Sequence, residues 1–240
     1  MKLSASGRAG HGSRPSEKDA PARLARAMAR VAEYRDSARL TEPVREMLRV
    51  LRAKGFSDLD VDTLRGGDEE EEALEAIARQ FPEIDPLLRN TFAVTTLSAG
   101  FKPNVIPSSA EGTIDARIVP GDEPEEVAAR LRALVADLGV SVEILFAERA
   151  NGSPMGPLYG AMEAAVLSVH PDAVVVPYMS TGFTDSRFFR SIGIPTYGLM
   201  PALLPRAEHG KIHGVDERIP VSGIAEMTEI TFKLIERWNG

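Results

Sequence analysis

The sequence predicts an α/β protein in two parts. Residues 1–150 read as a ferredoxin-like β-α-β-β-α-β arrangement, an antiparallel sheet backed by two helices, with a helical insertion at about 41–90. Residues 151–240 read as an α/β piece of a larger domain. Three observations carry this. Apolar residues recur at helical spacing in Leu24, Met28, Val31 and Tyr34, and again in Val127, Leu131, Leu134 and Leu138. Strict alternation in 113–118 and 140–146 marks half-buried strands. Asn151 to Pro157 holds two glycines and two prolines, the clearest boundary in the chain.

In order, residues 1–6 form a first strand and Gly7 to Pro15 a glycine-rich loop. Asp19 is the expected N-cap of a helix over 20–35, with Pro21 in its first turn. Thr41 and Pro43 open a helix with Val44, Leu48 and Leu51 on one face, and Gly55 stops it. The acidic run Asp68 to Glu72 suits a helix N-terminus, where carboxylates complement the dipole. Leu74, Ile77 and Phe81 continue that helix to Pro82. Thr91 to Ala99 is strand-rich, and in the next strand Thr113, Asp115 and Arg117 share one face. Asp122 and Pro124 open a helix that Gly139 closes, and Val140 to Phe146 forms the last strand. Beyond the boundary, helices are expected at 157–169, 185–192 and 221–238, with strands at 173–178 and 194–199. Two strands are too few for a sheet covered on both faces.

The composition narrows the function classes. Of 240 residues, 43% are hydrophobic and 26% charged, a globular profile with material for a core. Cysteine is absent, which excludes disulfides, a cysteine-based zinc site and a thiol nucleophile. A net charge of −7 without a basic stripe argues against a nucleic-acid partner. No apolar run approaches the ~18 residues of a membrane span. The start, Met1 to Gly7, lacks a signal-peptide stretch, so a cytoplasmic location is expected.

Few residues carry chemistry. His11 lies between glycines in Gly10-His11-Gly12-Ser13-Arg14-Pro15, which leaves its imidazole accessible; an ordinary loop histidine and a functional one both fit. Asn104-Val105-Ile106-Pro107 joins two strands and fits either turn chemistry or a ligand contact. Ser180 to Arg187, with Gly182 and Thr184, runs from a strand end to a helix start, where ligands bind in α/β sheets; a helix N-cap at Thr184 or Asp185 explains it equally well. His209 and His213 are four apart, but the glycines around them argue against a shared helix face for a metal. His170 before Pro171 reads as a helix C-terminal cap. No Gly-x-Ser-x-Gly elbow supports a serine nucleophile.

Together these segments resemble a known family, the di-zinc metallohydrolases that include aminoacylase, acetylornithine deacetylase, succinyl-diaminopimelate desuccinylase and glutamate carboxypeptidase. The carrying residues are Gly10 to Pro15, Gly100 to Pro107, Asp115-Ala116-Arg117 before Pro120-Gly121, Thr181 to Arg187, and Ile212 to Arg218. The 41–90 insertion resembles that of the carboxypeptidase S and N-acyl-amino-acid hydrolase branch. The resemblance implies a lid or dimerisation domain in 1–150 and the C-terminal part of a catalytic domain in 151–240. It implies a homodimer through the lid, hydrolysis of an amide bond in N-acyl amino acids or peptides with a free carboxylate, and two zinc ions, which cobalt or manganese can replace. It implies that His11 donates to the oxyanion with Asn104 beside it. Arg117 would take the substrate carboxylate, Gly182 and Thr184 would line the substrate loop, and His213 would be a metal ligand.

The sequence also departs from the family. The other metal ligands and the glutamate base precede the lid in the family, and this sequence starts at the first lid strand. One imidazole cannot hold a zinc that takes at least three protein ligands. The expectation is a fragment, inactive by itself and binding no zinc stably. The alternative is a non-catalytic dimerisation or binding module derived from the lid.

Overall fold

The computed structural model describes residues 1–148, 152–209 and 211–239. The predicted boundary at Asn151 falls outside the described residues. The chain separates into two compact units, Met1–Arg45 with Leu59–Ala150 and Glu46–Asp58 with Asn151–Gly240.

The first unit begins with β1 (Lys2–Ser6), a two-residue β2 (Gly10–His11) and α1 (Ala20–Glu33). Next come α2 (Glu42–Ala53), within which the division falls, α3 (Asp68–Gln80) and α4 (Asp85–Leu88). Then follow β3 (Thr91–Ala99), β4 (Val105–Ile106), β5 (Ser109–Arg117), α5 (Pro124–Leu134) and β6 (Ser141–Glu143). The main sheet has the order β3-β5-β1-β6, all antiparallel. One face is apolar: Leu3 and Ala5 of β1, Ala110 and Ile114 of β5 and Val142 of β6 pack with Leu24, Ala27, Met28 and Val31 of α1 and Leu131 of α5. Gly112 sits in this layer because a Cβ there would meet the Met28 Cε at 2.3 Å and the Thr96 carbonyl at 2.6 Å.

Several local expectations are corrected. Asp19 stands at the α1 N-cap position, but its carboxylate accepts the Ser16 amide proton at 2.7 Å and caps no helical N–H. The predicted helix to Gly139 breaks after Leu134 into a 3₁₀ turn at Ala136–Leu138. Gly139 is left-handed there (φ 58°), and Arg23 donates to its carbonyl at 2.8 Å. The last strand stops at Glu143, and Phe146 is exposed. The glycine loop 7–15 contains β2, which pairs with β4 as a second small sheet. Gly55 closes α2 as expected, with φ 78° and the Phe56 amide donating back to the Leu51 carbonyl. The acidic run opens α3, and Glu70 accepts from the Gly66 amide at 3.0 Å.

A buried polar cluster joins the insertion to the sheet. Asn90 (2% exposed) donates from Nδ2 to Asp36 and Asp122, each at 2.6 Å, and accepts the Val119 amide at 2.9 Å. Arg130 and Arg39 also pair with Asp122. Arg89 (3% exposed) binds Asp85, Glu75 and the Asp36 carbonyl. So many donors satisfy both carboxylates where burial would otherwise be costly.

The second unit holds α6 (Pro157–Leu167), α7 (Ser186–Ser191), α8 (Arg206–His209) and α9 (Val221–Asn239), with α6 packed on α9. The predicted strands 173–178 and 194–199 join no ladder among the described residues. A strand is defined by its partner, and neither segment has one among the described residues. His170 follows α6 as expected. Its amide donates to the Val166 carbonyl at 2.8 Å, and its ring lies 3.5 Å from Glu226 of α9. Among the described residues, the buried apolar side chains of this unit are Met47, Leu48, Met162, Ala165 and Ile230. Phe183, Phe188, Phe189, Ile192, Phe232 and Trp238 are each at least half exposed. No helix among the described residues is long and apolar enough to cross a membrane.

The Asp122 cluster predicts an acid response. Burial alone would raise the Asp122 carboxyl, but hydrogen bonds from Asn90, Arg39 and Arg130 outweigh it and hold it below the ordinary carboxylate value. Its stabilisation is therefore present above the ordinary aspartate range and lost as pH falls through the lowered value. Asp122→Asn should cost about 1.5–3 kcal/mol at pH 7 by urea unfolding, and this difference should shrink below about pH 4. An undiminished difference in acid would contradict the assignment.

Candidate active-site edge

Two candidate residues meet at one edge of the first unit. β1 ends at Ser6, paired with Ser109 of β5, and the Gly7 amide extends the ladder to the Ser108 carbonyl at 2.8 Å. The chain then enters β2, where Gly10 faces Ile106 and His11 faces Val105. Past His11, the Gly12 amide donates to the Asn104 carbonyl at 2.8 Å. A Cβ at Gly12 would come within 3.1 Å of that oxygen, so glycine allows the approach. His11 thus faces Val105 across the ladder, and Asn104 lies one step beyond it, bonded through its carbonyl to Gly12; both His11 and Asn104 are exposed. The His11 imidazole is held from one side: Ser13 places Oγ at 2.8 Å and its amide nitrogen at 3.2 Å from Nδ1.

Arg117 is elsewhere on the same strand. It ends β5 opposite Thr91, whereas Ser109 begins β5 beside the His11 ladder. Eight residue steps of antiparallel strand put these ends about 27 Å apart. Arg117 lies on the polar face and pairs with Asp115 at 2.7 Å, one third exposed. One chain therefore does not bring Arg117 to His11 and Asn104.

Gly182, Thr184 and His213 belong to the second unit. The Gly182 amide donates to Ser180 Oγ at 3.0 Å, and the Thr184 carbonyl accepts the Arg187 amide at 3.3 Å. Asp185 stands at the N-cap position of α7, as one of the two readings expected, but makes no side-chain capping bond. Arg187 stacks over Phe183 and Phe188. His213 occupies the left-handed region (φ 62°), as does Asp216 (φ 60°), unusual for residues with a side chain. Glu217 accepts the His213 amide at 3.0 Å. Glu208 takes both Arg218 nitrogens, at 3.0 and 3.1 Å, and so closes the loop that carries His213. Arg218, with Lys211, holds the Glu208 carboxyl below the ordinary range. α8 ends at His209, so the two histidines share no helix.

Among the described residues, no three histidine, aspartate or glutamate side chains gather as a metal site. His213 is the one predicted ligand, and the set does not fit a zinc ion, which needs three or more donors. Neither Ser13 nor Glu208 is assigned a role by the sequence reading. The His-x-Ser spacing at 11–13 is the signal for Ser13, since a serine two residues on can turn back on the ring. Nothing local marks Glu208 as the residue that closes this loop, since Arg218 is ten residues away.

Comparison with known proteins bears on this geometry. Residues 1–143 match the M20 family model for the peptidase dimerisation domain. The human N-fatty-acyl-amino acid synthase/hydrolase PM20D1 is 34% identical over 173 residues, covering 68% of this chain and 34% of that protein. The probable carboxypeptidase S-like 2 of Dictyostelium discoideum is 28% identical over 158 residues, covering 65% of this chain and 30% of that protein. The chain thus spans about a third of the length of these relatives. Among solved structures, the M20 family metallo-carboxypeptidase Sso-CP2 from Sulfolobus solfataricus superposes with a TM-score of 0.60 at 20% identity, over 98% of this chain and 56% of that one. Human carnosine dipeptidase 1 superposes with a TM-score of 0.62 at 15% identity, over 97% of this chain and 53% of that one. The antiparallel sheet and its helices are the fold of this family's dimerisation domain. The chain belongs to the M20 family of metallopeptidase-like hydrolases, whose dimerisation domain it carries in residues 1–143.

Proposed function

We propose that this chain supplies the lid and the C-terminal catalytic segment of a zinc-dependent amidohydrolase that cleaves N-acyl amino acids or peptides bearing a free carboxylate. The observation that carries this is the β2–β4 ladder, which sets His11 opposite Val105, with the Gly12–Asn104 backbone hydrogen bond holding Asn104 one step beyond it on an exposed edge. An imidazole N–H there donates to a carbonyl oxygen as negative charge grows on it, and an amide side chain adds a second polar contact. The Arg117 guanidinium suits a carboxylate because its planar fork makes two parallel bonds. Gly182 and Thr184 lie in a loop of the second unit suited to substrate contact. The metal and the base that activate water are not built from this chain's described residues, and the isolated chain is inactive.

The wide separation along β5 supports a homodimer. His11 and Asn104 of one protomer can share a small substrate with the arginine end of the partner, whereas the two ends of one chain cannot. Among the described residues β3 and β6 each pair on one side only, which leaves edges for such assembly. The apolar side chains exposed on the second unit fit a surface that the rest of a catalytic domain covers.

Co-expression with the N-terminal half of an M20 enzyme should restore amide hydrolysis. Silence together with tight self-association would favour a non-catalytic dimerisation module. In the restored enzyme, His11→Ala should lower kcat by about 10²–10³ and change KM little. Arg117→Ala should raise KM for carboxylate substrates far more than for their esters; equal effects on both would refute its role.

A further inference from the structure

We infer that Ser13 is a positioning residue that fixes the tautomer of His11. This rests on the reading of His11 as a hydrogen-bond donor to substrate. The Ser13 amide nitrogen lies 3.2 Å from His11 Nδ1 in donor geometry, and Ser13 Oγ lies 2.8 Å from the same atom. A backbone amide can only donate. Nδ1 must therefore turn its lone pair to Ser13, and the single proton of the neutral ring sits on Nε2. A proton on Nδ1 would set two N–H groups head to head at this distance.

The arrangement is built into the local backbone. The Arg14 amide donates to the His11 carbonyl at 2.9 Å, closing a turn that carries Ser13 back over the ring. The Gly12 amide bond to the Asn104 carbonyl anchors this turn to the neighbouring loop. The ring is exposed, and Nε2 has no hydrogen-bond partner among the described residues. Ser13 thus leaves the N–H edge of His11 facing outward. With the opposite tautomer, Nε2 would turn a lone pair toward a carbonyl oxygen and repel the charge it is placed to stabilise.

The test is nitrogen NMR on the full chain labelled with ¹⁵N-histidine, about two pH units above the ordinary imidazole value so that the rings are neutral. The His11 signals are those lost in His11→Gln, and the urea-unfolded chain gives the tautomer-averaged reference. In the native chain, Nε2 should take the shift of a protonated ring nitrogen and Nδ1 that of a bare one, both displaced from the unfolded values. Ser13→Ala keeps the amide donor and should keep this pattern. Ser13→Pro removes the donor and should return both nitrogens to averaged values while the β1 and β5 amide signals persist. Native shifts equal to the unfolded ones, a proton on Nδ1, or reversion in Ser13→Ala would overturn the assignment. If Ser13→Pro does not fold, the native-to-unfolded comparison and Ser13→Ala decide. Hydrolysis is not read here, so a fixed tautomer with a harmless His11→Ala would defeat the donor role alone, and an averaged ring with a damaging His11→Ala would defeat this inference alone.

Discussion

The register of β1 against β5 is the constraint on which the first unit depends. Five residue pairs run from Lys2 with Thr113 to Ser6 with Ser109, and β1 holds β6 on its other side. A slip of one residue would turn Leu3 and Ala5 from the core face to solvent and expose Lys2 and Ser4 to the helices. The same register delivers Gly7 to Ser108 and so brings the loop after β1 beside the loop before β5. The separate short ladder that carries His11, with Asn104 one step beyond it, thus follows from the pairing of the main sheet. Arg23 reinforces this end by donating to the Ser6, Leu138 and Gly139 carbonyls, tying β1 and α1 to the turn before β6.

The two units differ in how far they satisfy themselves. In the first, helices cover one sheet face, and buried charges such as Arg89 and Asp122 find several partners each. In the second, α6 and α9 bury little beyond Met162, Ala165 and Ile230. The segments near 173–178 and 194–199 have the apolar content of buried strands but enter no sheet among the described residues. The loop around His213 in this unit holds two left-handed residues with side chains, His213 and Asp216.

Much of the first unit was legible because its signals are local. The alternation of Thr113, Ile114, Asp115 and Ala116 and the spacing of Leu24, Met28 and Val31 each declare a face, and the structure buries Leu24, Met28, Val31 and Ile114. β2 and β4 were not legible, since two residues are too short for any period. The break of α5 at Leu134 was hidden because Leu138 keeps the helical spacing in a 3₁₀ turn. The ladders expected in the second half failed for a different reason: pairing is non-local, and strand content in Val174 to Tyr178 says nothing about a partner. At the site, residue types could be read from the motifs, but the distance between Asn104 and Arg117 follows from strand geometry, and the hold of Ser13 on His11 from turn geometry.

We propose that this chain carries the oxyanion donor and the carboxylate fork of an M20 hydrolase, with no metal site among its described residues. The direct measurement is zinc stoichiometry after equilibrium dialysis of the purified chain, with amide hydrolysis followed in the same samples. The prediction is less than one tightly held zinc per chain and no turnover at any zinc concentration. About two zinc ions per chain with robust hydrolysis, the two-metal arrangement, would contradict it.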